Sequence, residues 1–145
     1  MKLKAEVDSG GATRLITQKA GAISAKSLDA LRDLGAQEVE NARSRVTTTK
    51  VGPDGTPWAP WALATLRERT RAGNVAQGLL NVTGALAQSI QWKLTGKNLI
   101  IYSDSPYAQW HQNGTDRMPA RPFLGWSQAG LTDFRERLRE AIKQQ

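Results

Sequence analysis

The spacing of apolar and polar positions changes several times along the chain, and each change predicts an element. Residues 2–8 alternate with a period of two, which predicts a half-buried strand. Residues 12–22 are compatible with a short helix. A stripe at helical spacing then predicts a long amphipathic helix that begins near Ser24 or Ser27 and stops at Gly52-Pro53. At about 100° per residue its apolar side chains fall within an arc of roughly 140°; they are Leu28, Leu31, Leu34, Val39, Ala42 and Val46.

The second half of the chain contains the clearest hairpin pattern. Residues 90–95 alternate, residues 96–98 supply a turn, and residues 99–102 are continuously apolar, so the returning strand is predicted to be central. Short helices are predicted at 62–71 and 85–88, and a last helix from Ser127. The order of elements predicts an α+β fold, with a small antiparallel sheet packed on one face by the long amphipathic helix and the C-terminal helix. No linker divides the chain, so residues 1–145 are expected to form a single domain.

Two segments lack periodicity and are stiffened by proline. In the first, KVGPDGTPWAPW at residues 50–61, Pro53 and Gly55 predict a tight turn. Asp54 in that turn is expected to form an Asx-type hydrogen bond. Trp58 and Trp61 flank a further proline, and they either cover the end of the core or anchor a partner.

The second segment, YAQWHQNGTDRMPARPFLGW at residues 107–126, begins as a short helix that Asn113-Gly114 should stop. Pro119 and Pro122 fix the backbone beyond it, because each restricts its own φ and the residue before it. The pattern is typical of a stiff arm that delivers an aromatic anchor, here Phe123, to a fixed place. We therefore expect Phe123 to be buried.

Composition limits the chemistry available to the chain. The absence of cysteine excludes disulfides, thiolate metal sites and cysteine nucleophiles. No apolar run is long enough for a signal peptide or a membrane span. The net charge is +7 and the isoelectric point about 10.1, but basic residues are spread along the chain and interleaved with acidic ones. This pattern favours a solvated face, with a specific anionic partner as the alternative.

Catalytic constellations are not evident. His111 is the only histidine; Asp104 or Asp116 could pair with it, but no serine-centred elbow accompanies it. Residues 52–55 lack the lysine and hydroxyl residue of a phosphate-binding loop. The sequence therefore predicts a structural role for His111, no enzymatic activity, and no cofactor or metal.

Three blocks carry a resemblance to a known family. They are Gly52-Pro53-Asp54-Gly55-Thr56-Pro57-Trp58-Ala59-Pro60, Leu80-Asn81-Val82-Thr83-Gly84-Ala85-Leu86, and His111-Gln112-Asn113-Gly114 with Pro119-Ala120-Arg121-Pro122-Phe123-Leu124-Gly125. In order and spacing the blocks resemble the virion morphogenesis (tail-completion) family of tailed bacteriophages, including Mu-like phages. One departure is that Asn113 and a single glycine stand where members usually carry an aromatic residue and two glycines.

The resemblance implies a non-enzymatic protein that completes the head-proximal end of the tail and supports head–tail joining. It implies a location in the virion tail or neck, and in the host cytoplasm during assembly. Expected partners are further copies of the chain in a ring, most simply a hexamer, together with the tail tube or tail terminator and head-neck proteins. DNA would be contacted only in passage through the ring, and no membrane is involved. The candidate interaction residues are Pro53, Asp54, Trp58, Trp61, His111, Gly114, Arg121, Pro122 and Phe123.

The alternative function is that of a small basic nucleic-acid-binding protein. The net charge permits this reading, although no recognition-helix or aromatic RNA-binding pattern is present.

Overall fold

A computed structural model describes residues 3–7, 25–73, 75, 79, 84–96 and 98–143. The expected helix at 12–22 lies outside the described residues. Strands are β1 (Leu3–Val7), β2 (Ile90–Thr95) and β3 (Asn98–Ser103). Helices are α1 (Ala25–Ser44), α2 (Leu63–Ala72), α3 (Ala85–Gln88), α4 (Ala108–Asn113) and α5 (Gln128–Lys143).

The strands form an antiparallel sheet in the order β1-β3-β2. In the hairpin, Leu94 lies opposite Leu99 and Trp92 opposite Ile101. On its other edge β3 pairs with β1, so that Leu99 also lies opposite Val7. The prediction that the continuously apolar strand is central is therefore confirmed, and apolar residues fill it because neighbours cover it on both edges.

The two long helices pack together over the sheet, and the predicted α+β architecture is confirmed. Helix α1 contacts β2, β3 and α5. Towards its start, α1 shares one apolar cluster with β3 and α5, formed by Ala30, Leu31, Leu34, Leu99, Phe134 and Leu138. Towards its end it shares a second cluster, formed by Val39, Ala42, Val46, Trp58, Leu86, Ala87, Ile90, Ile101, Ala108, Phe123 and Leu124. This second cluster is where the segments that define the candidate site meet the core.

The start of α1 agrees with the first of the two predicted positions, because the helix begins at Ala25, directly after Ser24 in the sequence. Ser27, the other predicted start, lies buried inside the helix. At the other end, the helix widens into a π-helical turn at Arg45–Thr49, and Lys50 adopts a left-handed conformation with φ 56°. The helix therefore ends before Gly52-Pro53. The Lys50 amide bonds to Arg45 O at 3.0 Å, and its ammonium group donates to the carbonyls of Val46 and Leu79, which fixes this unusual backbone.

Among the described residues, no helix has the length and apolar composition needed to cross a lipid bilayer.

Candidate functional site

The segment at residues 50–61, here called the proline loop, is a compact turn held by its own backbone. The Gly52 amide donates to Thr56 O at 2.8 Å, and Val51 pairs with Pro57 in an isolated bridge. Asp54 Oδ1 accepts from the Thr56 amide at 2.9 Å, which is the predicted Asx-type bond. The pKa of the Asp54 carboxyl is lowered, chiefly by this backbone hydrogen bond. Asp54 thus shapes the loop while remaining exposed.

Residues 114–127 are here called the arm, and this arm begins with a sharp reversal after α4. Gly114 has φ 72°, and a Cβ atom there would lie 2.7 Å from the Ala120 amide nitrogen, so only glycine fits. A tight turn from Thr115 to Met118 follows, closed by the bond from Thr115 N to Met118 O at 2.9 Å. The predicted helix stop at Asn113-Gly114 is confirmed, and the chain turns back along α4.

Gln112, which lies in α4, fastens the arm with its side-chain amide. Its Oε1 accepts from the amides of Phe123 and Leu124, each at 3.1 Å, and its Nε2 donates to Leu124 O at 2.9 Å. These bonds satisfy backbone groups of the arm, which pairs with none of the described strands. The Phe123 side chain is fully buried in the core, as the sequence predicts.

The arm and the proline loop are joined directly to each other. The Trp58 indole donates to Pro122 O at 2.9 Å, and Trp58 is itself buried in the core. Arg121 donates from Nε to Ala59 O at 2.9 Å and from Nη2 to Pro60 O at 3.0 Å. Two segments about 60 residues apart in the chain therefore form one unit over the end of the core, here called the loop–arm unit.

Pro53 makes a further contact between these segments. A Cβ atom on Gly125 would lie 2.6 Å from Pro53 Cγ, so the proline ring packs directly on the glycine backbone. Contact with Pro53 of the proline loop therefore explains why a residue without a side chain stands at position 125.

Behind the arm lies a buried polar network that the sequence reasoning missed. Glu38 is fully buried and Arg45 is almost fully buried. Arg45 Nη2 lies 3.5 Å from Glu38 Oε2. Arg45 also donates from Nη1 to the carbonyls of Phe123 and Gly125, at 3.0 and 3.3 Å. The pKa of Arg45 is lowered by burial, and Glu38 opposes that shift. A buried ion pair of this kind fixes geometry more than it adds stability.

The same carboxylate positions the start of α5. Ser127 donates from Oγ to Glu38 Oε1 at 2.5 Å and from its amide to Oε2 at 3.2 Å. Ser127 Oγ in turn accepts from the Gly130 amide at 3.0 Å, which is an N-cap bond. A signal for the network exists in the sequence, because Glu38 and Arg45 are seven residues apart on the apolar stripe of the long helix.

On the outer side of the loop–arm unit lies an open cleft of about 790 Å³. The last residue of the proline loop, Trp61, borders the cleft, and helix α2 borders it through Thr65 and Arg69. The Arg69 guanidinium lies 4.9 Å from the centre of the Trp61 ring, in cation–π geometry. The segment that leads into α4 contributes Asp104 and Tyr107, and α4 itself contributes His111. The arm contributes Arg117, Met118, Pro119 and Arg121.

His111 borders this cleft with one ring nitrogen covered. Among the described residues, its buried Nδ1 has no hydrogen-bond partner, and His111 makes no side-chain hydrogen bond to Asp104 or Asp116. The pKa of His111 is lowered, first by burial and then by the positive charges of Arg121 and Arg69. The imidazole is therefore held in its neutral form in an electropositive place.

Large apolar side chains are exposed at Tyr107, which lines the cleft, and on α4 and α2, the two helices that border it. Tyr107 and Trp110 stack in a tilted pair with ring centres 5.8 Å apart, and each is more than half exposed. Helix α2 has no buried residue, and its Leu63 and Leu66 are exposed. Exposed apolar groups gathered in this way are typical of interaction surfaces.

The nine candidate residues occupy different positions, and Arg121 both holds the loop–arm unit together and borders the cleft. Trp58, Arg121 and Phe123 are buried and hold the loop–arm unit together, while Pro53, Gly114 and Pro122 shape its backbone. Trp61, His111 and Arg121 border the cleft, and Asp54 lies outside it.

Sequence reasoning did not select Arg69, Arg117 or Gln112. Gln112 could have been found from its position beside His111 in the third block of the family resemblance. By contrast, nothing in the sequence pattern distinguishes Arg69 or Arg117 from solvent-exposed residues.

Within the described part of the chain, no group of three or more histidine, aspartate or glutamate side chains is placed to hold a metal ion. No curated protein and no solved structure matches the chain. Residues 11–143, however, match the profile of the phage virion morphogenesis family. The match covers nearly all of the 145 residues, including both segments of the loop–arm unit. The chain therefore belongs to the phage virion morphogenesis family.

Proposed function

We propose that the protein is a non-enzymatic structural component that completes the head-proximal end of the phage tail and supports joining of the tail to the head. Membership of the virion morphogenesis family supports a role in assembling the particle. The observation that carries the finer proposal is the loop–arm unit, in which Trp58, Gln112 and Arg121 lock two proline-stiffened segments onto the core.

Rigid presentation of this kind favours association. A segment that is already fixed loses little conformational entropy when it binds, so more of the contact energy remains for affinity. Beside the unit, Tyr107, Trp110 and Leu63 expose apolar surface without any cover from the described residues. Aromatic side chains on a rigid support are the usual anchors of protein interfaces.

We further propose that the chain acts as a ring of identical copies, with six as the number that matches a sixfold tail tube. A head-to-tail contact between identical subunits closes into a ring when its rotation fits, and closure satisfies every interface. Neighbours would be the tail tube or tail terminator on one side and head-neck proteins on the other. DNA would pass through such a ring without sequence-specific contact.

The experiment is genetic complementation in the phage or prophage that encodes the chain. A stop codon early in the gene should give filled heads and separate tails in electron micrographs, with few joined particles. Purified protein added to that lysate should restore joined, infectious particles. Normal numbers of joined particles without the protein would contradict the proposal.

A further inference from the structure

The cleft beside the loop–arm unit carries an excess of positive charge. Three arginines border it, Arg69, Arg117 and Arg121, against the single carboxylate of Asp104 in the lining. That carboxylate already accepts a hydrogen bond from Gln91 at 3.4 Å. The cleft is thus suited to a ligand that carries negative charge.

Arg121 is the unusual member of this group because it is buried and has no counter-charge among the described residues. Only 6% of its surface is exposed, and its two hydrogen bonds go to backbone carbonyls, from Nε and Nη2. Among the described residues, no carboxylate lies within salt-bridge distance of it. The pKa of Arg121 is lowered by burial and by the nearby charge of Arg69. A buried charge is normally paired, so the described structure lacks the partner that physical chemistry expects.

The same chain contains a paired counterpart for comparison. Arg45 is buried to the same degree, at 5% exposed, and also donates to backbone carbonyls. Unlike Arg121, it has the carboxylate of Glu38 at 3.5 Å. Arg45 faces the interior, where the chain supplies the anion. Arg121 borders a cleft that is open to another molecule.

The remaining lining of the cleft is largely apolar, with Trp61, Leu86, Tyr107, Met118 and Pro119 around the charged groups. A volume of about 790 Å³ is within the usual range for sites that enclose small ligands or a few side chains. The phosphates of duplex DNA lie on a convex surface and are typically met by exposed lysine and arginine. A recessed guanidinium with apolar neighbours instead fits a carboxylate on an apolar peptide.

We propose that this cleft is a docking site for an acidic, apolar peptide segment of another virion protein, with a carboxylate of that segment pairing with Arg121. Neither of the two bonds that Arg121 makes uses Nη1, so this nitrogen is the group that the carboxylate meets. Arg69 and Arg117 add charge at the edges, and Trp61 and Met118 provide apolar contact. The choice of a virion protein as partner rests on the proposed function, whereas the chemistry of the segment rests on the cleft alone.

The test uses the purified full chain and two synthetic probes. One is a short acetylated peptide amide in which leucine and glutamate alternate; the other replaces each glutamate by glutamine. Binding is followed by NMR through the side-chain Nε–H signal of Arg121 and the indole signal of Trp61. We expect the acidic peptide to shift both signals, and the neutral peptide to bind at least about tenfold more weakly, because charge-assisted hydrogen bonds are lost.

Substitution of Arg121 itself also removes its bonds to the proline loop, so the deciding variant leaves it in place. The double variant Arg69→Gln/Arg117→Gln should weaken binding of the acidic peptide by about tenfold or more. The matched control Arg67→Gln/Arg71→Gln removes the same charge from exposed positions outside the cleft and should change binding by less than about twofold.

Equal binding of the two peptides, no binding of the acidic peptide, or equal losses in the two double variants would overturn the proposal. A duplex oligonucleotide that displaces the acidic peptide and shifts the same signals more strongly would assign the cleft to nucleic acid instead. These outcomes are independent of the proposed function. Peptide binding can succeed where complementation of head–tail joining fails, and the reverse.

Discussion

Replacing Phe123 by alanine tests whether the arm is anchored in the core. The phenyl ring is fully buried and belongs to the cluster at the end of α1. The Phe123 amide donates to Gln112 and its carbonyl accepts from Arg45, but both are backbone groups that alanine retains. The substitution therefore removes packing and leaves the hydrogen bonds of the arm in place.

The size of the effect follows from this complete burial. Loss of the transfer free energy of a buried phenylalanine side chain costs about 1.5 to 3 kcal/mol. The cavity left by incomplete collapse adds to it, which gives a total of about 3 to 5 kcal/mol. For a chain of 145 residues, each kcal/mol lowers the melting temperature by roughly 3 to 4 °C, so a decrease of about 10 to 20 °C is expected. A loss of this size is a large part of the usual stability of a domain.

The assay is thermal and urea unfolding of Phe123→Ala, followed by circular dichroism and tryptophan fluorescence. Trp110→Ala is the matched control, because Trp110 is 52% exposed, and it should change the free energy of unfolding by less than about 0.5 kcal/mol. If Phe123→Ala melts within about 2 °C of the parent protein, the arm is not a core anchor and the reasoning fails.

Three further predictions concern the polar groups behind and beside the arm. Glu38→Gln should lower the free energy of unfolding in urea by about 3 to 5 kcal/mol, because it leaves the buried Arg45 charge uncompensated, and an unchanged midpoint would contradict this. Gly130→Ala should destabilise α5 because the new Cβ atom would clash with Glu38 Oε1, although alanine favours helices by about 1 kcal/mol over glycine. The control Gln128→Ala, at an exposed position in the same turn, should not destabilise the helix, and a rise in melting temperature for Gly130→Ala would refute the contact. The folded-state pKa of His111 is lowered from 6.5, so its contribution to stability is complete above pH 6.5 and is lost as the pH falls below it. In urea unfolding, the free energy of unfolding should therefore fall less between about pH 8 and about pH 5.5 in His111→Gln than in the parent protein, and equal decreases would disprove the linkage.

Periodicity allowed most of the secondary structure to be predicted. The long helix and the hairpin each bury one face, so the spacing of their apolar residues follows directly from the fold. The central place of β3 was readable because residues 99–101 are all apolar and all buried. Prolines and the Asn113-Gly114 pair marked the irregular segments because their backbone preferences are local.

Long-range polar contacts were not predictable in the same way. The left-handed Lys50 and the π-helical turn before it depend on carbonyls of Val46 and Leu79, and the second of these is 29 residues away. Arg121 was selected as a candidate, but its burial depends on Ala59 and Pro60 from the other segment. Such contacts have no period in the sequence, because they are set by where the segments meet after folding.

The cleft was missed for a related reason. The arginines of the run at residues 66–71 resemble one another in sequence, and the pattern predicts a solvated face for all of them. Only Arg69 is turned towards Trp61 and the cleft, whereas Arg67 and Arg71 are exposed outside it. The difference arises from the position of α2 against the arm.

Electron cryo-microscopy of purified tails, combined with a count of copies per tail, tests the central claim most directly. We expect sixfold density for this chain at the head-proximal end of the tail, with the loop–arm unit or the neighbouring surface of Tyr107 and Trp110 in contact with adjacent subunits or with the tube. Absence of the protein from finished tails, or a single copy per tail, would contradict it.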